Sequence, residues 1–305
     1  MKVLLIYFTG TYNTRFLARK LARRFGEENT QTVEIDASTP IVDTKGYDLI
    51  GFSYPIYGFN MPRPFERYVK KLKFEPRQKY FIAKNSGETL PMNNASSRRL
   101  IRYMTKQKAD FCGEYHFVFP YNIHFPFPED FIRESLQYNQ KLLDILFYNL
   151  ERGIAPSLPS KWIHNLGAFF VSIQHIGGDI NSFFYRIDKE KCTRCGLCAT
   201  RCPQKNIDVT EKGVKFHHHC DMCMRCSFYC PQRAIRIGLF NSWLVHDYYD
   251  LNELEKKGPD KPYITPETKG FYRCYIPYFE NIQKQYEAML SSVDEGEQSD
   301  AAHRD

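Results

Sequence analysis

The sequence predicts an α/β chain, in which a doubly wound parallel sheet is followed by a small α+β domain that binds metal clusters. Short apolar runs alternate with helical patterns through the first 150 residues. Eight of the ten cysteines then occur in two copies of one pattern between Cys192 and Cys230. The alternation predicts the sheet, and the duplicated pattern predicts the second domain.

The first strand, loop and helix form a candidate phosphate site. Residues 2–8 are an apolar run typical of a buried parallel strand. A hydroxyl-rich loop, 9–14, follows, and apolar residues then recur at helical spacing up to Phe25, before Gly26. Such a loop offers backbone N–H groups, hydroxyls and a helix N-terminus to a phosphate. The alternative is an ordinary helix start without a ligand.

Further strands and helices continue the alternation. We expect strands at 32–35, 47–53, 79–84 and 115–121, and helices at 63–72, 94–107 and 129–150. Sheets of this kind bind ligands at the carboxyl ends of their strands. Three loops are predicted there, 9–14, 54–58 and 85–87.

The cysteine pattern predicts two [4Fe-4S] clusters. Each copy has three cysteines at every third position, then a fourth cysteine followed by proline, and the copies are offset by 28 positions. In this pattern the first three thiolates bind one cluster and the fourth binds the neighbouring cluster. One predicted ligand set is therefore Cys192, Cys195, Cys198 and Cys230. The other is Cys202, Cys220, Cys223 and Cys226.

Two other uses of the cysteines fit the pattern less well. Structural zinc sites usually have two separated pairs of cysteines, rather than a triple followed by Cys-Pro. A disulfide framework requires an oxidising compartment. The neighbouring residues His217, His218 and His219 are interpreted as a solvated turn, because eight cysteines already fill the eight ligand places. Cys112 and Cys274 belong to neither copy.

The charge and hydropathy of the sequence indicate which partners and which location to expect. The chain of 305 residues has a net charge of +7, and residues 61–110 contain thirteen basic and four acidic side chains. This excess predicts an acidic redox protein as partner, and a solvated charged face is the alternative. We expect no nucleic-acid partner. The apolar runs at 2–8 and 166–173 are too short for a signal peptide and a transmembrane segment, so a cytoplasmic location is expected.

Five segments are expected along the chain. They are the sheet domain (1–152), a bridging helical segment (153–185), the cluster domain (186–238), an aromatic-rich extension (239–293) and a disordered tail (294–305). A helix at 162–176 would bridge the domains, with a peripheral membrane contact as the alternative. The last helix is expected at 281–290.

The three loops resemble those of flavodoxins, and together with the cysteine motifs the chain resembles the flavodoxin–ferredoxin fusion family of iron–sulfur flavoproteins. The resemblance implies FMN, with its phosphate in the first loop and its ring between the other two. The implied binding residues are Thr9, Thr11, Tyr12, Asn13, Thr14, Tyr54, Pro55, Tyr57, Gly58, Asn85, Ser86 and Gly87. Tyr54 and Tyr57 are candidates to stack on the ring. The family has glycine where this chain has Tyr12, which could crowd the phosphate or cover the ring.

These features favour an electron-transfer protein in which FMN is coupled to two clusters. One alternative is a flavin-dependent oxidoreductase that acts on a small molecule and uses the clusters as an internal wire. Another is a redox-sensing or docking module that has lost FMN. No general acid–base or nucleophilic constellation stands out, so an electron carrier is favoured over an enzyme with its own substrate.

Overall fold

A computed structural model describes residues 1–172, 174–245 and 249–302, and the side chains of 174–176 and 294–302 lie outside this description. Its first domain contains a parallel sheet of five strands in the order β2-β1-β3-β4-β5. The strands are β1 (Val3–Tyr7), β2 (Thr30–Glu34), β3 (Leu49–Pro55), β4 (Lys79–Ser86) and β5 (Asp110–Val118). This is the flavodoxin-like strand order, which confirms the predicted doubly wound sheet.

Helices cover both faces of the sheet. They are α1 (Asn13–Phe25), α2 (Arg63–Val69), α3 (Arg98–Lys106) and α4 (Glu129–Arg152). Side chains of α1 and α4 contribute to one hydrophobic core, and those of α2 and α3 contribute to a second core. Strands buried on both faces consist almost entirely of apolar residues, as β1 does (VLLIY).

Several predicted boundaries are wrong; α2, for example, ends at Val69 instead of 72. The fifth strand begins at Asp110 instead of 115, because its half-buried start and Gly113, at φ 119°, obscure the apolar pattern. The segment 94–97, predicted as α-helix, belongs to a 3-10 helix, Pro91–Ser97. There the Ser96 hydroxyl donates a hydrogen bond of 2.8 Å to the Asn93 carbonyl, so local side-chain bonding competes with the α-helix.

Two helices connect the domains where one was predicted. They are α5 (Trp162–Val171) and α6 (Gln174–Ser182), and residue 173 between them lies outside the description. The small second domain then contains β6 (Tyr185–Ile187), α7 (Leu197–Arg201), β7 (Ile207–Thr210), β8 (Gly213–Phe216), α8 (Arg225–Phe228) and β9 (Ile235–Ile237). Strand β6 pairs with β9 and β7 with β8, both antiparallel.

The C-terminal segment packs against the first domain. It contains α9 (Leu251–Lys257) and α10 (Ile276–Ala302), so the last helix is longer than the predicted 281–290. Pro277 did not prevent an early start, because proline fits the first turn of a helix. The rings of Phe279 on α10 and Tyr138 on α4 stack with centroids 4.1 Å apart.

A disordered tail was predicted at 294–305. Residues 303–305 and the side chains of 294–302 lie outside what the structure describes. Among the described helices, none is long and apolar enough to cross a membrane.

Candidate cofactor sites

A cavity of about 640 Å³ lies at the carboxyl ends of β1, β3 and β4. Ten of the twelve residues predicted to bind FMN line it: Thr9, Thr11, Asn13, Thr14, Pro55, Tyr57, Gly58, Asn85, Ser86 and Gly87. The opposite wall includes Cys220 and Met222 of the second domain. The three strand-end loops therefore surround one space, and the second domain closes it.

The first loop has the chemistry of a phosphate site. The Thr9 hydroxyl is buried, lines the cavity and has no hydrogen-bond partner among the described residues. Helix α1 starts beside it with no acidic residue in its first turn. Because the first N–H groups of a helix lack partners within the helix, they can donate to an anion. The residues present therefore fit an FMN phosphate.

Tyr12 lies outside the cavity lining. It takes the left-handed conformation, φ 72°, that suits a glycine, directly before α1. Its ring lies 5.0 Å from that of Tyr229 in the second domain, and the Arg15 guanidinium lies 4.0 Å above it. The backbone at Tyr12 thus takes a conformation that a glycine would suit, while the side chain contacts the second domain.

Tyr54 is a correction to the predicted ring contacts. Its side chain is fully buried in the second hydrophobic core, where its ring packs 4.8 Å from Phe65. It therefore cannot stack on a ligand in the cavity. Tyr57 does line the cavity, and its buried hydroxyl has no hydrogen-bond partner among the described residues.

Hydrogen bonds fix the loops relative to one another. The Thr14 hydroxyl on the first loop donates to Asn85 Oδ1 on the third, at 2.8 Å. Asn13 Nδ2 donates to the Pro120 carbonyl at 2.9 Å. The Tyr275 hydroxyl, from the C-terminal segment, donates to the Gly87 carbonyl.

Behind the third loop lies a buried polar network. Ser86 Oγ lies 2.7 Å from His116 Nε2, and Lys84 forms a buried ion pair of 3.0 Å with Glu114. Burial, with Lys84 nearby, lowers the pKa of His116 to about 3, so the imidazole is neutral. The network places a neutral histidine one hydrogen bond from the cavity wall.

Arg225 of the second domain binds the first loop directly. Its side chain is 5% exposed, and it donates hydrogen bonds of 2.5 Å and 2.7 Å to the carbonyls of Thr9 and Gly10. The Tyr229 hydroxyl donates to the Thr11 carbonyl at 2.8 Å. Three consecutive carbonyls of the candidate phosphate loop therefore accept hydrogen bonds from α8 and the residue after it.

Arg63 forms a second link between the domains. Its guanidinium pairs with Asp179 on α6 at 2.6 Å and with Asp221 at 2.7 Å. Both carboxylates stabilise its charged form and raise the pKa of Arg63. Asp221 follows Cys220, so this ion-pair cluster holds the wall of the cavity that the second domain supplies.

The structure brings the cysteines together in the two predicted sets. A small cavity of about 30 Å³ is lined by all four of the first set, Cys192, Cys195, Cys198 and Cys230. In the second set, Cys202 and Cys220 lie close enough to Cys223 to influence its thiol, whose pKa burial raises to about 12. Such a thiol needs a metal nearby to stay ionised.

The cysteines are not arranged for a single metal ion. All ten are free thiols. Within residues 1–172, 174–245 and 249–302, no three His, Cys, Asp or Glu side chains are grouped to hold one ion. The first set instead surrounds a space, which suits a four-iron cluster.

Several cavity residues were not predicted to contribute to any site: Glu88, Tyr121, His124, Met222, Trp243, Phe271 and Cys274, while Cys220 was predicted only as a cluster ligand. Most come from segments without a motif, so no local signal marks them. Arg225 is different, because the repeat places it opposite Leu197 of the first copy. A charged residue that replaces an apolar one in a duplicated unit could have identified it.

Comparisons with known proteins give the second domain a family. Residues 184–239 match the model of the 4Fe-4S dicluster domain. No curated protein matches the chain.

Solved structures similar to this chain cover the first domain. They include an NADPH-quinone reductase from P. pentosaceus (11% identity, 50% of this chain and 98% of that one, TM-score 0.36) and the Streptococcus pneumonia TIGR4 flavodoxin (15%, 47% and 99%, 0.33). A third is a flavoprotein in complex with FMN from Lactobacillus acidophilus NCFM (14%, 38% and 92%, 0.30). The assignment of the first domain depends on its strand order and not on these likenesses.

Proposed function

We propose that this chain, a flavodoxin-like domain joined to a 4Fe-4S dicluster domain, transfers electrons between an FMN and two [4Fe-4S] clusters. The observation that carries the proposal is the shared cavity. The three strand-end loops form one side of it, and Cys220, a predicted cluster ligand, lies on the other. A flavin there would be adjacent to the loop that holds the second cluster.

The residues of the chain have separate tasks in this proposal. Thr9, Thr11 and the N-terminus of α1 bind the phosphate, and Tyr57 lies in the wall around the ring. When bound, FMN supplies the exchange between paired and single electrons. Met222 and Trp243 complete the apolar wall that excludes water. The exposed Cys195 places the first cysteine set at the protein surface, where a partner can approach.

The test is a cofactor and kinetic analysis of anaerobically purified protein. We expect about eight irons and one FMN per chain. After rapid reduction of the flavin, the cluster absorbance should bleach within the same molecule, at a rate independent of protein concentration. A protein with both cofactors but a concentration-dependent rate would contradict the proposed internal transfer.

A flavin-dependent oxidoreductase for a small molecule is the second candidate. Its support is that the cavity continues past the flavin loops to Glu88, His124 and Phe271. Such a wall, apolar with a few polar groups, is typical of small-molecule sites. Turnover of a small acceptor without any protein partner would favour this candidate, and activity only with a protein partner would favour the carrier.

An acidic protein is the proposed redox partner, and the cytoplasm the proposed location. Eight of the thirteen basic residues in 61–110 form no ion pair among the described residues: Arg67, Lys71, Lys73, Lys79, Arg98, Arg102, Lys106 and Lys108. Exposed charges are screened within about 8 Å at physiological ionic strength. Association with the partner should therefore slow as salt rises, and a salt-independent rate would leave only a solvated charged face.

A further inference from the structure

Helix α5 presents an apolar stripe to solvent. The side chains of Trp162, Ile163, Leu166, Phe169 and Phe170 are between 45% and 75% exposed. Their spacing places them on one side of the helix. The opposite side contains the buried Ala168. We call these five exposed residues the α5 stripe. A helix at a protein surface normally has the reverse arrangement.

Contacts on the other side fix the helix in this orientation. Asn60 Nδ2 donates a hydrogen bond of 2.9 Å to the Ala168 carbonyl. Asn94 Nδ2 donates to the Pro159 carbonyl, just before α5, at 3.0 Å. At Gly167 a side chain would come within 2.8 Å of the Met92 methyl group. The helix is therefore closely packed on the 3-10 helix Pro91–Ser97, and the stripe stays outside.

The segment that contains the stripe has basic but no acidic residues. Residues 152–178 contain no Asp or Glu, and Lys161 directly precedes α5. Helix α3 begins at Arg98, where the 3-10 helix under α5 ends. Arg98 and Arg102 form no ion pair among the described residues, and burial, together with repulsion from Arg102 and Arg99, lowers the pKa of Arg98. Unpaired positive charge thus accompanies exposed aromatic side chains.

We propose that the α5 stripe binds the surface of an anionic lipid bilayer, with α5 lying in the plane of the interface. Helices that bind in this way combine apolar and aromatic residues with flanking Lys or Arg. Anionic headgroups attract such basic residues from close range. With ten residues, α5 is long enough to lie on a bilayer but not to cross it. The charge around the stripe is what favours lipid over a neutral apolar partner.

Vesicle sedimentation with the full, anaerobically purified chain tests this proposal. The protein should bind vesicles of phosphatidylcholine with phosphatidylglycerol at least tenfold more strongly than vesicles of phosphatidylcholine alone, and less strongly as salt rises. The double variant Phe169→Ser and Phe170→Ser should reduce binding at least tenfold, as should Arg98→Gln with Arg102→Gln. Ile41→Ser, at an exposed apolar residue outside the stripe, is the matched control and should bind normally. Unchanged iron content confirms that each variant folds.

Three results would overturn the proposal. The first is equal binding to both vesicle types, and the second is no binding to either. The third is a dimer that forms without lipid and is lost in the Phe169 and Phe170 variant, because a second copy would then cover the stripe. Binding of an acidic redox protein should be unaffected by the same variant. This result would show that the α5 stripe is distinct from the surface that binds the redox partner.

Discussion

The two copies of the cysteine motif have the same spacing but opposite surroundings. Cys195 in the first copy is exposed, whereas its counterpart Cys223 is half-buried beside the first domain. The residues between the ligands differ correspondingly: Arg194 and Leu197 in the first copy are replaced by Met222 and Arg225 in the second. The spacing specifies the ligands, and the intervening residues determine what each copy contacts.

This difference suggests that the two copies exchange electrons with different partners. The second copy lies against the cavity and the candidate phosphate loop, so it suits exchange within the molecule. The first copy lies at the surface and suits exchange with a partner. Four experiments test this contrast.

The matched variants Cys195→Ala and Cys223→Ala remove equivalent ligands from the two copies. Each should damage its own cluster, with a loss of up to about four irons. Only Cys223→Ala should also weaken FMN binding, because Arg225 lies two residues away and holds the first loop. Iron analysis and FMN titration measure both effects. Equal loss of FMN in the two variants would show that the copies are not distinct in this respect.

Cys202→Ala is a third variant for this comparison, because the fourth cysteine of each copy is predicted to bind the cluster of the other copy. Cys202 belongs to the first copy in sequence and to the second predicted ligand set. Cys202→Ala should therefore resemble Cys223→Ala in its cluster spectrum. A spectrum like that of Cys195→Ala would contradict the crossed assignment.

Replacing Arg225 tests the link between the second copy and the loop. Arg225→Met removes two hydrogen bonds from a charged group to the Thr9 and Gly10 carbonyls, each worth roughly 1.5 to 3 kcal/mol. We expect FMN affinity to fall about 100-fold, equivalent to ~3 kcal/mol, with the iron content retained. Arg194→Met in the first copy is the control, since among the described residues Arg194 bonds only the Glu211 carbonyl near the surface. Unchanged FMN affinity in Arg225→Met would mean that the first loop keeps its conformation without the hydrogen bonds from Arg225.

The pH dependence of stability tests the environment of His116, behind the third cavity loop, without altering either copy of the cysteine motif. His116 stays neutral in the folded protein, with a pKa of about 3, whereas an unfolded histidine binds a proton below about pH 6.5. Unfolding therefore takes up a proton below that pH, and stability falls as the pH decreases from 6.5 toward 3. Between pH 7 and pH 5 this effect is about 2 kcal/mol.

His116→Gln should remove that part of the pH dependence. Urea unfolding under anaerobic conditions at the two pH values measures it. Other titrating groups, including the clusters, contribute equally to wild type and variant, so the difference isolates His116. Identical pH dependence in both proteins would show that this histidine is not held neutral.

The smallest expected changes in FMN affinity come from substitutions in the first loop, 9–14. Thr14→Ala removes the hydrogen bond to Asn85 that joins two cavity loops and should weaken FMN binding by about 1 kcal/mol. Tyr12→Gly should leave the affinity nearly unchanged, because the ring lies outside the cavity lining. Flavin fluorescence during titration of the apo-protein measures both. If wild type bound no FMN and Tyr12→Gly did, Tyr12 would instead block the site, and the docking-module alternative would gain support.

The sequence predicted the features that depend on local pattern. Buried parallel strands are recognisable as apolar runs, and the cysteine spacing is dictated by cluster chemistry, so both were identified without a structure. Boundaries were less accurate where polar residues bond locally, as at Ser96. Tyr54 could not be distinguished from Tyr57, because both lie near the end of the same strand and only tertiary packing places one in the core and the other at the cavity.

Contacts between distant segments were beyond sequence reasoning. Arg225 reaches Thr9 and Gly10 across more than two hundred residues, and Tyr275 reaches Gly87 across 188. Neither pairing leaves a periodic or spacing signal. The far wall of the cavity was therefore missed, although the three loops on its near side were predicted.

The position of α10 has a consequence for how the protein is made. Tyr275, Phe279 and Ile282 are buried in the core that β1, β4 and α4 begin. During synthesis that core emerges from the ribosome with one side uncovered, and it stays so until α10 follows. The dicluster domain is made in this interval, and it ends up joined at both termini to a single folded unit. The core of the first domain can therefore be completed only after the whole dicluster domain has been synthesised.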